Sequence, residues 1–132
     1  MNKNTDLGLL ILRVSAGVMM LLHGIAKFKG LGGIEGMLEA KNLPTFIAYG
    51  VYVGEVLAPI MMIVGFRTRI AAVIFAGNLV VAYWLAHSGQ MFQLNDHGAW
   101  AIELIGLYFF AAVTLFFTGG GRLGVSSSNK WD

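Results

Sequence analysis

The sequence predicts an all-α integral membrane protein, an antiparallel four-helix bundle, on three observations. Of its 132 residues, 57% are apolar and 12% are charged, whereas about a quarter of the residues of an ordinary soluble domain are charged. The apolar residues gather in four runs, 7–28, 43–64, 70–87 and 98–118, each near the ~20 residues that cross a hydrocarbon core of about 30 Å. The connectors are short and polar, which makes successive spans neighbours that run in opposite directions. Few residues remain outside the runs, so residues 1–132 read as one transmembrane domain.

The first run is the most informative. Its core, RVSAGVMMLLHGIAKFKG, is apolar yet carries Arg13, His23 and Lys27. At about 100° per residue, Arg13, Gly17, Met20, Gly24 and Lys27 fall on one stripe with His23 beside it. A charge at the centre of a bilayer costs about 2.5–3.5 kcal/mol on insertion scales, so this polar, small-residue face is expected to point inward. Lys3 before an apolar run is also how a secretory leader begins. This run is too long for one and shows no small-residue cleavage site, so it reads as a span.

The remaining elements follow in order. Between the first two spans, IEGMLEAKNLP suits a short interfacial helix. The second span starts at Pro44, where a missing N–H does little harm, and holds Pro59, where a kink is expected. Glu55 is its one ionisable residue. The GFRTR connector is a tight turn, and the third span carries Asn78 at mid-depth and Tyr83 and Trp84 near its end, as membrane interfaces favour. The fourth span contains Glu103 and stops at the glycines of GGGRLG. Lys3, Arg67, Arg69, Arg122 and Lys130 lie at one end, against Lys27, Lys29 and Lys41 at the other, which places both termini in the cytoplasm.

Several classes of function are excluded. A formal charge of +2 with scattered basic residues gives no nucleic-acid footprint. The absence of cysteine removes thiol exchange and iron–sulfur ligation. No phosphate loop, Ser-His-Asp arrangement or metal-spaced cluster is present, so no metal is expected, and His23, His87 and His97 are a weak basis for haem.

Counting depth at about 1.5 Å per residue puts Arg13, Glu55 and Asn78 in an inner layer and His23 with Glu103 in an outer one. Each layer combines a base with an acid. An Arg13–Glu55 pair that only fixes helix order is one reading. The other is binding or proton handling: a quinone-like amphipath needs donors for its carbonyls and aromatic walls for its ring, and His23, Tyr49, Tyr52, Tyr83 and Trp84 supply both. In that reading His23 and Glu103 are the catalytic candidates, and Arg13, Lys27, Glu55 and Asn78 complete the ligand-binding set.

The segments LRVSAGVMMLLHGIAKF and GEVLAPIMMIVGFRTRIAA, with the Glu103 span ending in GGGRLGV, resemble the DoxX family of small membrane proteins. The specific matches are Arg13 with His23, Gly24 and Lys27; Glu55 with Gly65, Thr68 and Arg69; and Glu103. The resemblance implies a four-helix protein of the bacterial inner membrane, associated with respiratory or redox assemblies such as thiosulfate:quinone oxidoreductase. The GGGR turn replaces a Gly-Pro-Gly turn of many relatives, and nothing matches a thiosulfate-handling motif. The expected role is a small subunit of a quinone-linked redox or oxidative-stress complex. The alternative is a non-catalytic adaptor or small-molecule carrier that recruits a soluble partner. The bilayer is the first partner in either case, redox-complex proteins are the next, and a homo-oligomer is compatible with both.

Overall fold

The computed structural model describes residues 4–132. Among them the regular elements are helices: α1 (Thr5–Ala26), prolonged by a tight turn at Lys27–Lys29, α2 (Gly32–Ala40), α3 (Thr45–Val64), α4 (Thr68–Ala86) and α5 (Glu103–Thr118). α1, α3 and α4 are long and apolar enough to cross a membrane, and α5 is shorter. α1 packs on α3, α3 on α4, α4 on α5, and α5 returns to α1.

Small residues set the distances between these helices. Ala58, Ala71, Ala72 and Ala112 are fully buried between Met62, Phe75 and Leu115. On α1 the predicted stripe is the buried face, with Arg13, Ala16, Gly17, Met20 and Gly24 turned inward. A Cβ on Gly17 would come within 2.8 Å of Ile63 and 2.9 Å of the Pro59 carbonyl. Gly24 similarly admits the Glu55 carbonyl, so α1 and α3 meet backbone to backbone, the mode apolar helices use when a bilayer gives them no hydrophobic reason to associate. The outward faces carry large apolar side chains, among them Leu22, Leu107 and Phe117.

The second span is not regular: the turn before Pro59 is widened at Val53–Leu57, where the Ala58 N–H bonds to Val53 O, five residues back. Proline removes the donor that the Glu55 carbonyl would have used, and a wide turn absorbs the mismatch. The fourth helix starts at Glu103 rather than Gly98. Asn95 Oδ1 accepts from the His97 and Ala99 N–H groups at 2.9 and 3.1 Å, and Gly98 has φ 81°, so this segment is a turn.

α2 occupies the place of the expected interfacial helix and buries Leu38 against Leu31 and Ala48. Residues 119–132 are tied to the α3–α4 turn: Val125 N donates to Val64 O at 2.9 Å, Ser126 N to Gly65 O at 3.1 Å, and Arg69 N to Trp131 O at 2.9 Å.

Candidate functional site

Arg13 and Glu55, the two buried charges of the spans, do not meet. Arg13 is 1% exposed, and among the described residues its guanidinium donates only to main-chain carbonyls: Gly120 at 3.1 Å, Met62 at 2.9 Å, Ile63 at 2.8 Å, and Leu123. Met62 and Ile63 belong to the last turn of α3, whose carbonyls have no partner within the helix. The cation is therefore the C-terminal cap of α3, where the helix dipole also favours positive charge. Nearby, Asp132 binds Arg67 at 2.9 Å, Ser126 Oγ at 2.6 Å and the Asn129 N–H at 2.8 Å. Burial opposes its ionisation, but these bonds and the Arg67 N–H outweigh it and hold the carboxyl at about 2, below the usual 3.8.

Glu55 is the centre of a second cluster. It lies in the widened turn of α3, 5% exposed. Lys27 Nζ donates to its Oε1 at 2.5 Å, and Asn78 Nδ2 of α4 donates to its Oε2 at 3.2 Å. Tyr52 steadies the lysine by donating its hydroxyl to Lys27 O at 3.0 Å, and its ring stacks on Phe28 with centroids 5.0 Å apart. Two glycines make the cluster sterically possible. Gly24 lets the Glu55 main chain approach α1, and Gly54 lies so close to Asn78 that any Cβ would overlap the amide side chain.

Open space borders this cluster. A cavity of about 220 Å³ has Lys27, Glu55, Asn78 and His87 in its wall and Met37 of α2 over it. A groove of about 230 Å³ adjoins it through Asn78, Val81 and Leu85, between α3 and α4. Each exceeds the ~150 Å³ of an apolar cavity known to take up benzene, so a six-membered ring fits. The wall offers ammonium and amide donors and one carboxylate on a lining that is otherwise mostly hydrocarbon.

The outer pair is not assembled. His23 and Glu103 are both exposed, and among the described residues no hydrogen bond or ion pair joins them. His23 instead meets the Tyr108 ring edge-on at 6.2 Å. Glu103 stands in the first turn of α5, where a negative charge suits the helix dipole. The aromatic candidates disperse as well. Tyr49 is 63% exposed, Trp84 is covered by Lys41 Nζ at 4.5 Å, and Tyr83 lines a separate apolar pocket of about 380 Å³ with Trp100 and Phe109.

Sequence reasoning weighed His87 only as a weak basis for haem and passed over Met37, yet both line the cavity.

Comparison with known proteins finds a matching family model and relatives along much of the chain. The DoxX family model matches residues 8–88, a stretch that holds Arg13, Lys27, Glu55, Asn78 and His87 but not α5. The chain is 37% identical over 82 residues to the putative oxidoreductase CatD of Bacillus subtilis, covering 62% of this chain and 61% of that protein. It is 30% identical over 96 residues to the inner membrane protein YqjF of Escherichia coli, covering 73% of this chain and 74% of that one. An uncharacterized protein of Haemophilus influenzae is 32% identical over 117 residues, covering 86% and 84%. No solved structure matches.

Proposed function

We propose that this chain, which belongs to the DoxX family and is a membrane protein, binds the head group of a quinone-like molecule at Lys27, Glu55 and Asn78, as a small subunit of a redox complex. It does so as a single antiparallel four-helix unit of the inner membrane with both termini in the cytoplasm. The orientation is supported by the basic residues that share an end with Asp6, whose Oδ1 accepts the Arg122 N–H at 3.0 Å.

One observation carries the reading: the Lys27–Glu55 pair lies on the wall of a cavity. A pair that served packing alone gains nothing from adjacent space, since apolar replacement of a buried pair is often neutral or stabilising. Here a carbonyl oxygen of the ligand accepts from Lys27 Nζ, which has donors beyond the one used by Glu55, and the carboxylate exchanges a proton with the reduced ring. Conversion of a quinone to its quinol takes two electrons and two protons. Lys27 and Glu55 relay both protons from water to the two ring oxygens and return to their starting charges afterwards, and a redox partner supplies the electrons. The naming of CatD as a putative oxidoreductase supports this class of chemistry.

The test is titration of the purified protein with duroquinone, a fully substituted benzoquinone, following tryptophan fluorescence. Saturable quenching is expected for wild type and for His23→Ala. Glu55→Gln and Lys27→Met are each expected to raise Kd by about tenfold or more. Equal quenching in all four proteins rejects the site and favours the adaptor reading.

A further inference from the structure

The groove beside the head-group cavity has a composition the proposed site does not explain. Its α3 wall includes Ile47, Gly50 and Gly54, and its α4 wall includes Ile74, Gly77 and Val81. On α4 it runs from Ile74 to Leu85, about 16 Å of helix. Gly50, Gly77, Ile47, Val53 and Val81 are exposed, on segments long and apolar enough to cross a membrane, so the groove opens sideways onto the surface that hydrocarbon covers.

The glycines here differ from those at the helix contacts. A Cβ on Gly17, Gly24 or Gly54 would meet a neighbouring atom, whereas a Cβ on Gly50 or Gly77 would have nothing within 4 Å. The first three allow helices to touch. The other two leave width in the groove that no protein atom fills, Gly77 directly beside Asn78 on α4 and Gly50 about one turn before Gly54 on α3.

Resting on the proposed function, we infer that this groove is the side entrance from the bilayer and holds the apolar chain of the ligand, with Gly50 and Gly77 setting the width it accepts. The occupant is the tail of the molecule whose head meets Lys27, Glu55 and Asn78. Continuity of the two spaces argues for one molecule: Asn78, Val81 and Leu85 line both, so a head in the cavity directs its substituent into the groove. The lining matches that division, with Lys27, Glu55 and His87 only in the inner space and Gly50, Gly54 and Gly77 only in the outer.

The experiment compares duroquinone, which has a head and no chain, with a decyl-substituted benzoquinone, in one detergent, on wild type, Gly77→Ala and Gly77→Leu. Thermal melts of each variant check that folding is intact, which the open space around Gly77 favours. The expected result is a Kd for the decyl compound raised by at least about tenfold in Gly77→Leu, equivalent to losing the burial of about two methylenes, with a smaller rise in Gly77→Ala. Duroquinone should bind all three within about twofold. Unchanged decyl binding in Gly77→Leu overturns the groove while leaving the head site standing. An equal loss of both compounds also overturns it, because Gly77 would then belong to the head site. Failure of both compounds to bind wild type is a different pattern and overturns the head-group reading together with the groove.

Discussion

Arg13 and Glu55 are both buried charges on the facing helices α1 and α3, yet their surroundings differ in kind. Arg13 spends its donors on carbonyls of α3 and of residues 119–132, and it is in the wall of none of the cavities described above. Its partners are main-chain atoms fixed by the fold, so nothing there can exchange with a ligand. Glu55 is held by Lys27 and Asn78, side chains that can turn, next to space large enough for a ring. The difference teaches that burial of a charge does not by itself mark a functional site. What matters is whether its partners are replaceable and whether there is room to replace them.

The largest effect expected is on the closed side of that comparison. Arg13→Met should cost at least about 3 kcal/mol in thermal or denaturant melts of detergent-solubilised protein, because several buried carbonyls lose their donor together. Arg13→Lys should recover only part, since an ammonium cannot span the same fork of acceptors. A melt of Arg13→Met close to wild type would erase the distinction drawn between the two charges.

A double-mutant comparison sharpens it further. Arg13 and Glu55 share no partner, and Met62 and Ile63 stand about 10–12 Å along α3 from Glu55. Arg13→Met and Glu55→Gln should therefore add within about 0.5 kcal/mol. Lys27→Met and Glu55→Gln should depart from additivity by about 1 kcal/mol or more, the double variant being more stable than the sum predicts, because Lys27→Met alone strands the carboxylate. Coupling between Arg13 and Glu55 would restore the inner-layer pairing expected from depth counting.

The smallest effect concerns the segment that closes the Arg13 end. A carboxyl whose value falls on folding contributes stability that is present above its unfolded value and lost as pH drops through its folded one. For Asp132 that window runs from 3.8 down to about 2. Asp132→Asn should be less stable than wild type at neutral pH, and the gap should close across this range in acid melts. A gap that does not depend on pH would show that the contacts of residues 126–132, rather than the charge of Asp132, hold the segment.

Legibility from the sequence followed the range of the interactions. The membrane class, the helix locations and the inward stripe of α1 depend on local apolar periodicity, and they were readable. Lys27, Glu55 and Asn78 were all named as candidates, and Glu55 was grouped with Asn78 as the structure has it, but Lys27 was not grouped with them and Arg13 was. Depth counting assumed regular helices, whereas the widened turn at Val53–Leu57 lies under Glu55 and the short approach at Gly24 sets it against α1. The same counting paired His23 with Glu103 on a fourth helix begun at Gly98. With the turn around Asn95 and Gly98 in place, Glu103 moves to the helix terminus.

By itself, then, the sequence determined which segments bury themselves and which side chains are too polar for lipid, because transfer free energy is a property of each residue and its helical neighbours. Only the tertiary structure decided what those side chains meet. The acceptors of Arg13 are main-chain carbonyls, which every residue possesses and no sequence pattern marks, and Gly120 is 107 positions away. The groove beside Asn78 keeps its width because Gly50 and Gly77 fall where no neighbouring atom approaches, while Gly17 and Gly24, the same residue in the same kind of run, fall where two helices touch.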